Sequence, residues 1–210
     1  MAFSRNTEKL AAQGETFRLL SYLFDSPNSS LVSTIADVKK LYREDAHATE
    51  LLDDMAESLE CDNTVALQVD HAKLFIGLFE MLAPPYASLY LETGDQVCGK
   101  TTASIEQCYR NQGFELTSKE KQPADYIGYL FEFIYLLAFR HLQGTSEVTL
   151  EDIDRFAEKY VLNWTPQFFS NIDQGAETRY FKCLAKLGLE HLPTEPRRHA
   201  EPSRTFAPLS

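Results

Sequence analysis

Four cysteines and five histidines are the side chains of this 210-residue chain best suited to hold a metal or attack a substrate. Cys61, Cys98, Cys108 and Cys183 form no C-x-x-C pair, and His47, His71, His141, His191 and His199 are equally dispersed. A zinc site draws its ligands from short, clustered spacings, so the pattern predicts free thiols in a reducing compartment and no metal. Acids pair at Asp53–Asp54 and Glu151–Asp152. Acid–base catalysis needs a carboxyl held in a pocket at a shifted pKa, whereas adjacent acids on a helix normally face water. No dinucleotide fingerprint, phosphate loop, nucleophile elbow or H-E-x-x-H run occurs. The residues therefore predict no catalytic activity and no catalytic residues.

A formal charge of −11 argues against a nucleic-acid partner, which requires a basic face to displace counterions. It suits partners that carry positive charge. With 44% hydrophobic and 24% charged residues, the composition is that of a globular protein and long enough for a sizeable core. The opening "MAFSRNTEKLAAQGE" lacks the apolar region of a secretory signal. The longest apolar run, Ile127 to Phe139, is interrupted by Glu132 and ends at Arg140, too short and too charged to span a bilayer. A soluble, cytoplasmic protein without stable membrane insertion is expected.

The most unusual local chemistry lies in "FEMLAPPYASLY", residues 79 to 90. Pro84 and Pro85 have no backbone donor and a fixed φ, so regular helix cannot pass through them. They shape an irregular loop bearing Tyr86, Ser88 and Tyr90. Aromatics with a polar tip suit either a wet interface or a buried hydrogen bond, so the loop reads as a groove mouth or as a core plug.

The elements around this loop read as helices. Leu10, Phe17, Leu20 and Phe24 recur at a helical period, as do Leu51, Leu52, Met55 and Leu59. Ile35 and Val38 face inward on another helix, and Asp62 or Asn63 can cap a fourth. That fourth helix shows a stripe of Val65, Val69, Ala72, Phe75, Ile76 and Phe79. "KQPADYIGYLFEFIYLLAFRHL" is apolar on nearly every side, which places it at the centre of a bundle. Pro123 fits the first turn of this helix, where Asp125 complements the dipole. Thr149 with Asp152 forms a capping-box pattern, and a further helix is expected with Thr165 as its cap and Pro166 at its first turn. A last helix carries Tyr180, Phe181, Leu184 and Leu187. The expected fold is all-α: one domain of about nine or ten helices over residues 1–192. Residues 193–210 hold four prolines and no apolar period, and are expected to be a disordered tail.

Three of these segments resemble a known family in order and spacing. "LFIGLFEMLAPPYASLYLETG" is similar to the segment of the TorD/DmsD/NarJ chaperones in which an F-x-G helix end precedes A-P-P and aromatics. "KQPADYIGYLFEFIYLL" resembles the family's E-x-P-x-D-H-I-G run, and "RFAEKYVLNWTPQFF" its F-x-x-x-H-L-x-x-W segment. The likeness covers about residues 10 to 192 and is nearest the TorD/DmsD branch. Two family histidines are replaced, by Tyr126 and Tyr160, which removes any group titrating near neutrality at those points.

The resemblance implies a dedicated cytoplasmic chaperone of a molybdenum-containing oxidoreductase. Such a chaperone binds the twin-arginine signal peptide and the apo form of the catalytic subunit, delays export and assists cofactor insertion. It implies no cofactor of the chaperone's own and allows a homodimer, including a domain-swapped one. Neighbouring alternatives are a NarJ-like assembly chaperone for a membrane-bound nitrate reductase, and a non-catalytic helical scaffold that binds a folded partner. Combined with the loop, the resemblance points to a signal-peptide site at Tyr86, Ser88, Tyr90, Asp125 and Tyr126, with Asp125 meeting an arginine.

Overall fold

A computed structural model describes Phe3 and residues 6–77, 80–93, 98–116, 122–144 and 147–192. The described residues fold as helices: α1 Thr7–Tyr22, α2 Leu31–Leu41, α3 Ala46–Cys61, α4 Thr64–His71, the single turn α5 Ser88–Leu91, α6 Lys100–Asn111, α7 Ile127–Gln143, α8 Leu150–Ala157, α9 Thr165–Gly175 and α10 Arg179–His191. Two of them, α4 and α8, run on into π-helical turns, Ala72–Ile76 and Glu158–Leu162. Tail residues 193–210 and Phe79 lie outside the described residues.

Local chemistry starts these helices where the sequence leads one to expect. Asn6 accepts the amides of Glu8 and Lys9 to open α1, and Asn63 accepts Val65 N–H to open α4. Thr149 and Asp152 form the reciprocal capping box of α8. The start of α10 is handled differently. Asp70 of α4 accepts the amides of Glu177 and Thr178 and the Thr178 hydroxyl, the last at 2.6 Å. Ser58 of α3 accepts the amide of Tyr180 at 3.1 Å. The amides of Glu177, Thr178 and Tyr180 at the positive end of α10 are thus met by side chains of two other helices, which fixes where α10 sits.

Helix α7 occupies the centre. Ile127, Leu130, Phe131, Phe133, Ile134, Leu137 and Ala138 are all buried. The ring of Phe131 meets Phe17 of α1 edge-on at 5.2 Å and Phe24 at 6.0 Å. A Cβ on Gly14 of α1 would lie 3.3 Å from the Ala138 Cβ, so the two helices cross close together. Around this pair, Phe24, Phe75, Phe168, Phe169 and Phe181 form a connected set of rings that joins α1, α4, α9 and α10.

Four local expectations are corrected. Phe139 is 47% exposed, so the apolar run of α7 leaves the core at its last turn. The expected stripe of α4 is turned outward at Val65, Val69 and Ile76, while Leu67, Asp70 and Leu74 point in. A π turn adds a residue to the helical turn and rotates the side chains beyond it, and the capping task of Asp70 holds the inward face. Likewise, α7 begins at Ile127 with Tyr126 as its cap residue, so Pro123 and Asp125 lie in the preceding turn, not in the helix, and α9 takes Trp164 as its cap residue, with Thr165 already in its first turn.

Candidate functional site

The proline loop is tied to the start of α7 by backbone. Ile127 N–H donates to the Pro85 carbonyl at 2.9 Å, and Ala87 N–H donates to the Asp125 carbonyl at 3.1 Å. These bonds bracket Tyr86 and Tyr126, which form an isolated antiparallel bridge. Upstream, Leu82 and Ala83 donate to the carbonyls of Lys73 and Leu74 in the π turn. Gly77 closes that turn at φ 58°, and a Cβ there would lie 2.6 Å from the Glu80 carbonyl carbon. The F-x-G of the sequence is therefore the point at which the chain reverses toward the prolines.

Asp125 is completely buried. One carboxylate oxygen accepts Ser88 N–H at 2.9 Å and the other accepts the Thr102 hydroxyl at 3.0 Å. Next to it, Tyr109 donates to the Ala124 carbonyl at 2.8 Å. This carboxylate is spent on joining α5, α6 and the entry to α7, and has no open face for an external arginine. Ser88 is also fully buried. Both residues position the loop from behind.

Tyr90 points the other way. Its ring stacks on Trp164 at 4.9 Å and 27°, and its hydroxyl accepts from Asn171 at 3.4 Å. Burial pushes its phenol pKa up to about 12. Of the two readings of the loop, Tyr90 takes the plug.

Tyr86 takes the mouth. With Tyr126 it walls a cleft of about 500 Å³. Phe75, Ile76 and Met81 supply further apolar lining, and Asp25, His71 and Gln122 the polar groups. Tyr86 donates to Gln122 at 2.8 Å and its ring lies 6.2 Å from that of Tyr126. Burial raises the pKa of both phenols, so both remain neutral donors at physiological pH. A Cβ on Gly128 would strike the Tyr126 ring at 2.5 Å, which explains the glycine two residues later: it lets that ring fold back over α7.

Asp25 is the exposed carboxylate of this cleft. Burial of part of its surface raises its pKa, and His71 opposes the shift. His71 itself has a lowered pKa, from burial first, with the Phe24 carbonyl and Asp25 acting against it. Its Nε2 lies 3.1 Å from that carbonyl, which can only accept, so this nitrogen carries the proton. The sequence pattern misses Asp25 and His71, since "DSPNSS" reads only as a turn and His71 as a residue beside an apolar stripe. Their convergence depends on a tertiary contact, the bond from His71 at the end of α4 to the Phe24 carbonyl in the turn after α1.

A cleft of this kind, on a helical body with these three motifs, can be compared with known proteins. The family described as nitrate reductase delta subunit matches residues 39–170. The chain belongs to this family. It is the TorD/DmsD/NarJ family of the sequence motifs. Similar proteins include the chaperone protein TorD of Vibrio vulnificus, 22% identical over 130 residues, 60% of each chain. The Tat proofreading chaperone DmsD of Salmonella typhi is 24% identical over 178 residues, 82% of this chain and 83% of its own. The chaperone protein YcdY of Escherichia coli is 32% identical over 139 residues, 66% of each chain. The match thus spans 60% of the TorD length but most of DmsD. A crystal structure described as a redox enzyme maturation protein from Archaeoglobus fulgidus shares the fold, with TM-score 0.55 and 21% identity over 84% of this chain and 91% of that one.

Within the family match, the Tyr86–Tyr126 bridge joins the first two motifs into one surface. The third lies behind it. Tyr160 is buried, and its carbonyl accepts the Trp164 indole N–H at 2.7 Å, the same indole that stacks on Tyr90. Among the described residues no helix is long and apolar enough to cross a membrane, and no group of three His, Cys, Asp or Glu is placed to hold a metal ion.

Proposed function

We propose that this protein is a cytoplasmic chaperone that binds the twin-arginine signal peptide and apo form of a molybdenum-containing oxidoreductase, assisting cofactor insertion and delaying export. The observation that carries the reading is the cleft between Tyr86 and Tyr126, with the Asp25 carboxylate open on its rim and aromatic and aliphatic walls behind. The family and the relatives named as chaperones support it.

The chemistry matches such a peptide in two parts. An arginine of the basic region pairs with Asp25, in an environment less solvated than open surface. The apolar region of the peptide packs on Phe75, Ile76 and Met81 and under the tyrosine rings. Each well-buried leucine contributes about 1.5–3 kcal/mol, against an association cost of roughly 4–15 kcal/mol. Four or five of them leave a Kd on the order of micromolar, weak enough for release. Ser88 and Asp125 hold the loop in place, and Pro84 and Pro85 keep it from becoming helix.

The family description favours a second reading, assembly of a membrane-bound nitrate reductase, whose subunit bears only a vestigial signal. Calorimetric titration of the full chain separates the two. A twin-arginine peptide from a molybdoenzyme of the same organism is compared with a version in which both arginines are glutamine. Micromolar binding that the glutamine peptide loses supports the signal-peptide chaperone. Absence of binding to either, with capture of the apo catalytic subunit, supports the nitrate-reductase reading.

A further inference from the structure

The central helix α7 is apolar on more sides than the bundle covers. It packs on α1 and α8, yet Tyr129 and Leu136, at i and i+7 on one face, are only half-buried. These two side chains line a groove of about 210 Å³ together with Phe114 and Leu116 of the segment that follows α6. That segment is held firmly. Phe114 N–H donates to the Tyr109 carbonyl at 2.9 Å, its ring meets Phe133 edge-on at 5.9 Å, and the Arg140 guanidinium lies over it at 4.1 Å. The groove is thus preformed, with Leu116 38% exposed at its edge.

Charge selects the occupant. Glu115 and Glu132 also line the groove and are exposed. Among the described residues neither carboxylate makes an ion pair. The arginines of this region are engaged elsewhere: Arg110 pairs with Glu106 at 3.4 Å, and Arg140 donates to the Gln112 carbonyl beneath the Phe114 ring. An apolar floor beside two carboxylates fits a helix whose apolar stripe is flanked by lysine or arginine. A second copy of this chain fits poorly, because each copy carries a net charge of −11 and would bring like charge to the rim.

We propose that the α6–α7 groove binds a cationic amphipathic helical segment of a partner protein. Its apolar side chains pack on Tyr129, Leu136 and Leu116, and its cations meet Glu115 and Glu132. The groove is adjacent to the Tyr86–Tyr126 cleft, since the Tyr129 ring meets that of Tyr126 edge-on at 5.3 Å. It shares no lining residue with that cleft. Occupation of the groove therefore does not depend on what the cleft binds.

Fluorescence anisotropy tests this on the full chain, with a dye-labelled peptide of leucine and lysine that carries leucines at i, i+3, i+4 and i+7. A leucine–glutamate peptide of the same pattern should not bind. Leu116→Glu, and separately Glu115→Lys with Glu132→Lys, should each weaken the lysine peptide about tenfold, and all of these positions are exposed enough to leave melting unchanged. Raised salt should weaken the wild type more than the double lysine variant. Two controls should keep wild-type affinity. One is Glu50→Lys with Glu60→Lys, the same change of charge on α3, which packs on α2 and α10. The other is Asp25→Asn with Tyr86→Ala in the cleft. Absence of binding to wild type, or unchanged affinity in both groove variants, would overturn the proposal. So would an equal loss in the α3 variant, which marks general attraction to an acidic chain, or a loss in the cleft variant, which puts the peptide in the cleft.

Discussion

The carboxylate of Asp125 accepts the backbone amide of Ser88 at 2.9 Å, and neither residue is exposed to solvent. Through this bond the loop after Pro84–Pro85 is fixed to the entry of the central helix α7, and Tyr86 and Tyr126 are brought to face each other. The carboxylate best marked by the sequence motif thus builds the cleft, and Asp25 is the carboxylate exposed at its rim.

Asp125→Asn should therefore act through stability. The asparagine oxygen can still accept Ser88 N–H while its NH2 donates to the Thr102 hydroxyl, so what the substitution removes is the negative charge that strengthens both bonds. Loss of a charge-assisted hydrogen bond in a buried setting predicts a cost of about 1.5–3 kcal/mol. Denaturant unfolding of the variant measures it. An unchanged midpoint would mean that the Asp125 contacts do not hold the loop.

Leu130 and Ile134 are fully buried on α7, whereas Phe139 of the same helix is 47% exposed. Replacing either of the first two by Ala should cost roughly 2–5 kcal/mol through cavity formation. Phe139→Ala should cost less than about 0.5 kcal/mol. Comparable losses at all three positions would mean that α7 is buried to its end.

Stability should also depend on the protonation of His71. Its folded pKa lies below the ordinary value, chiefly from burial, so the unfolded chain binds the proton more readily. The stability this contributes is present above the unfolded value of about 6.5 and is lost as pH falls below it. A series of melts between pH 7.5 and 5 should show a decline that His71→Gln flattens. Asp25 has the opposite sign, since its raised pKa favours the protonated form in the folded state. Its contribution falls as pH rises through the folded pKa, at a more acid range than that of His71.

Much of the fold was legible because apolar period and capping chemistry are local. Leu51, Leu52, Met55 and Leu59 on α3, and the Thr149–Asp152 capping box, follow directly from spacing. The inward face of α4 was not legible. It depends on a π turn and on Asp70 capping a helix far along the chain, and neither leaves a periodic signal. At the site, the prolines marked the loop and Tyr86 its mouth. Tyr90 and Ser88 share its composition but face Trp164 and the interior, a distinction that residue type does not encode. Asp25 and His71 carry no motif and reach the cleft through long-range contacts of His71 with the Phe24 carbonyl and the Phe181 ring.

We propose the Tyr86–Tyr126 cleft, with Asp25 at its rim, as the peptide site. The direct measurement is calorimetric titration of a twin-arginine peptide into wild type, Asp25→Asn and Tyr86→Ala at low and high salt. Asp25→Asn should weaken binding about tenfold at low salt with little change in melting temperature, and high salt should mask the difference by screening the rim charge. Tyr86→Ala should weaken binding at both salt concentrations, because its contribution is buried apolar area. Wild-type affinity in both variants would place the peptide elsewhere on the protein.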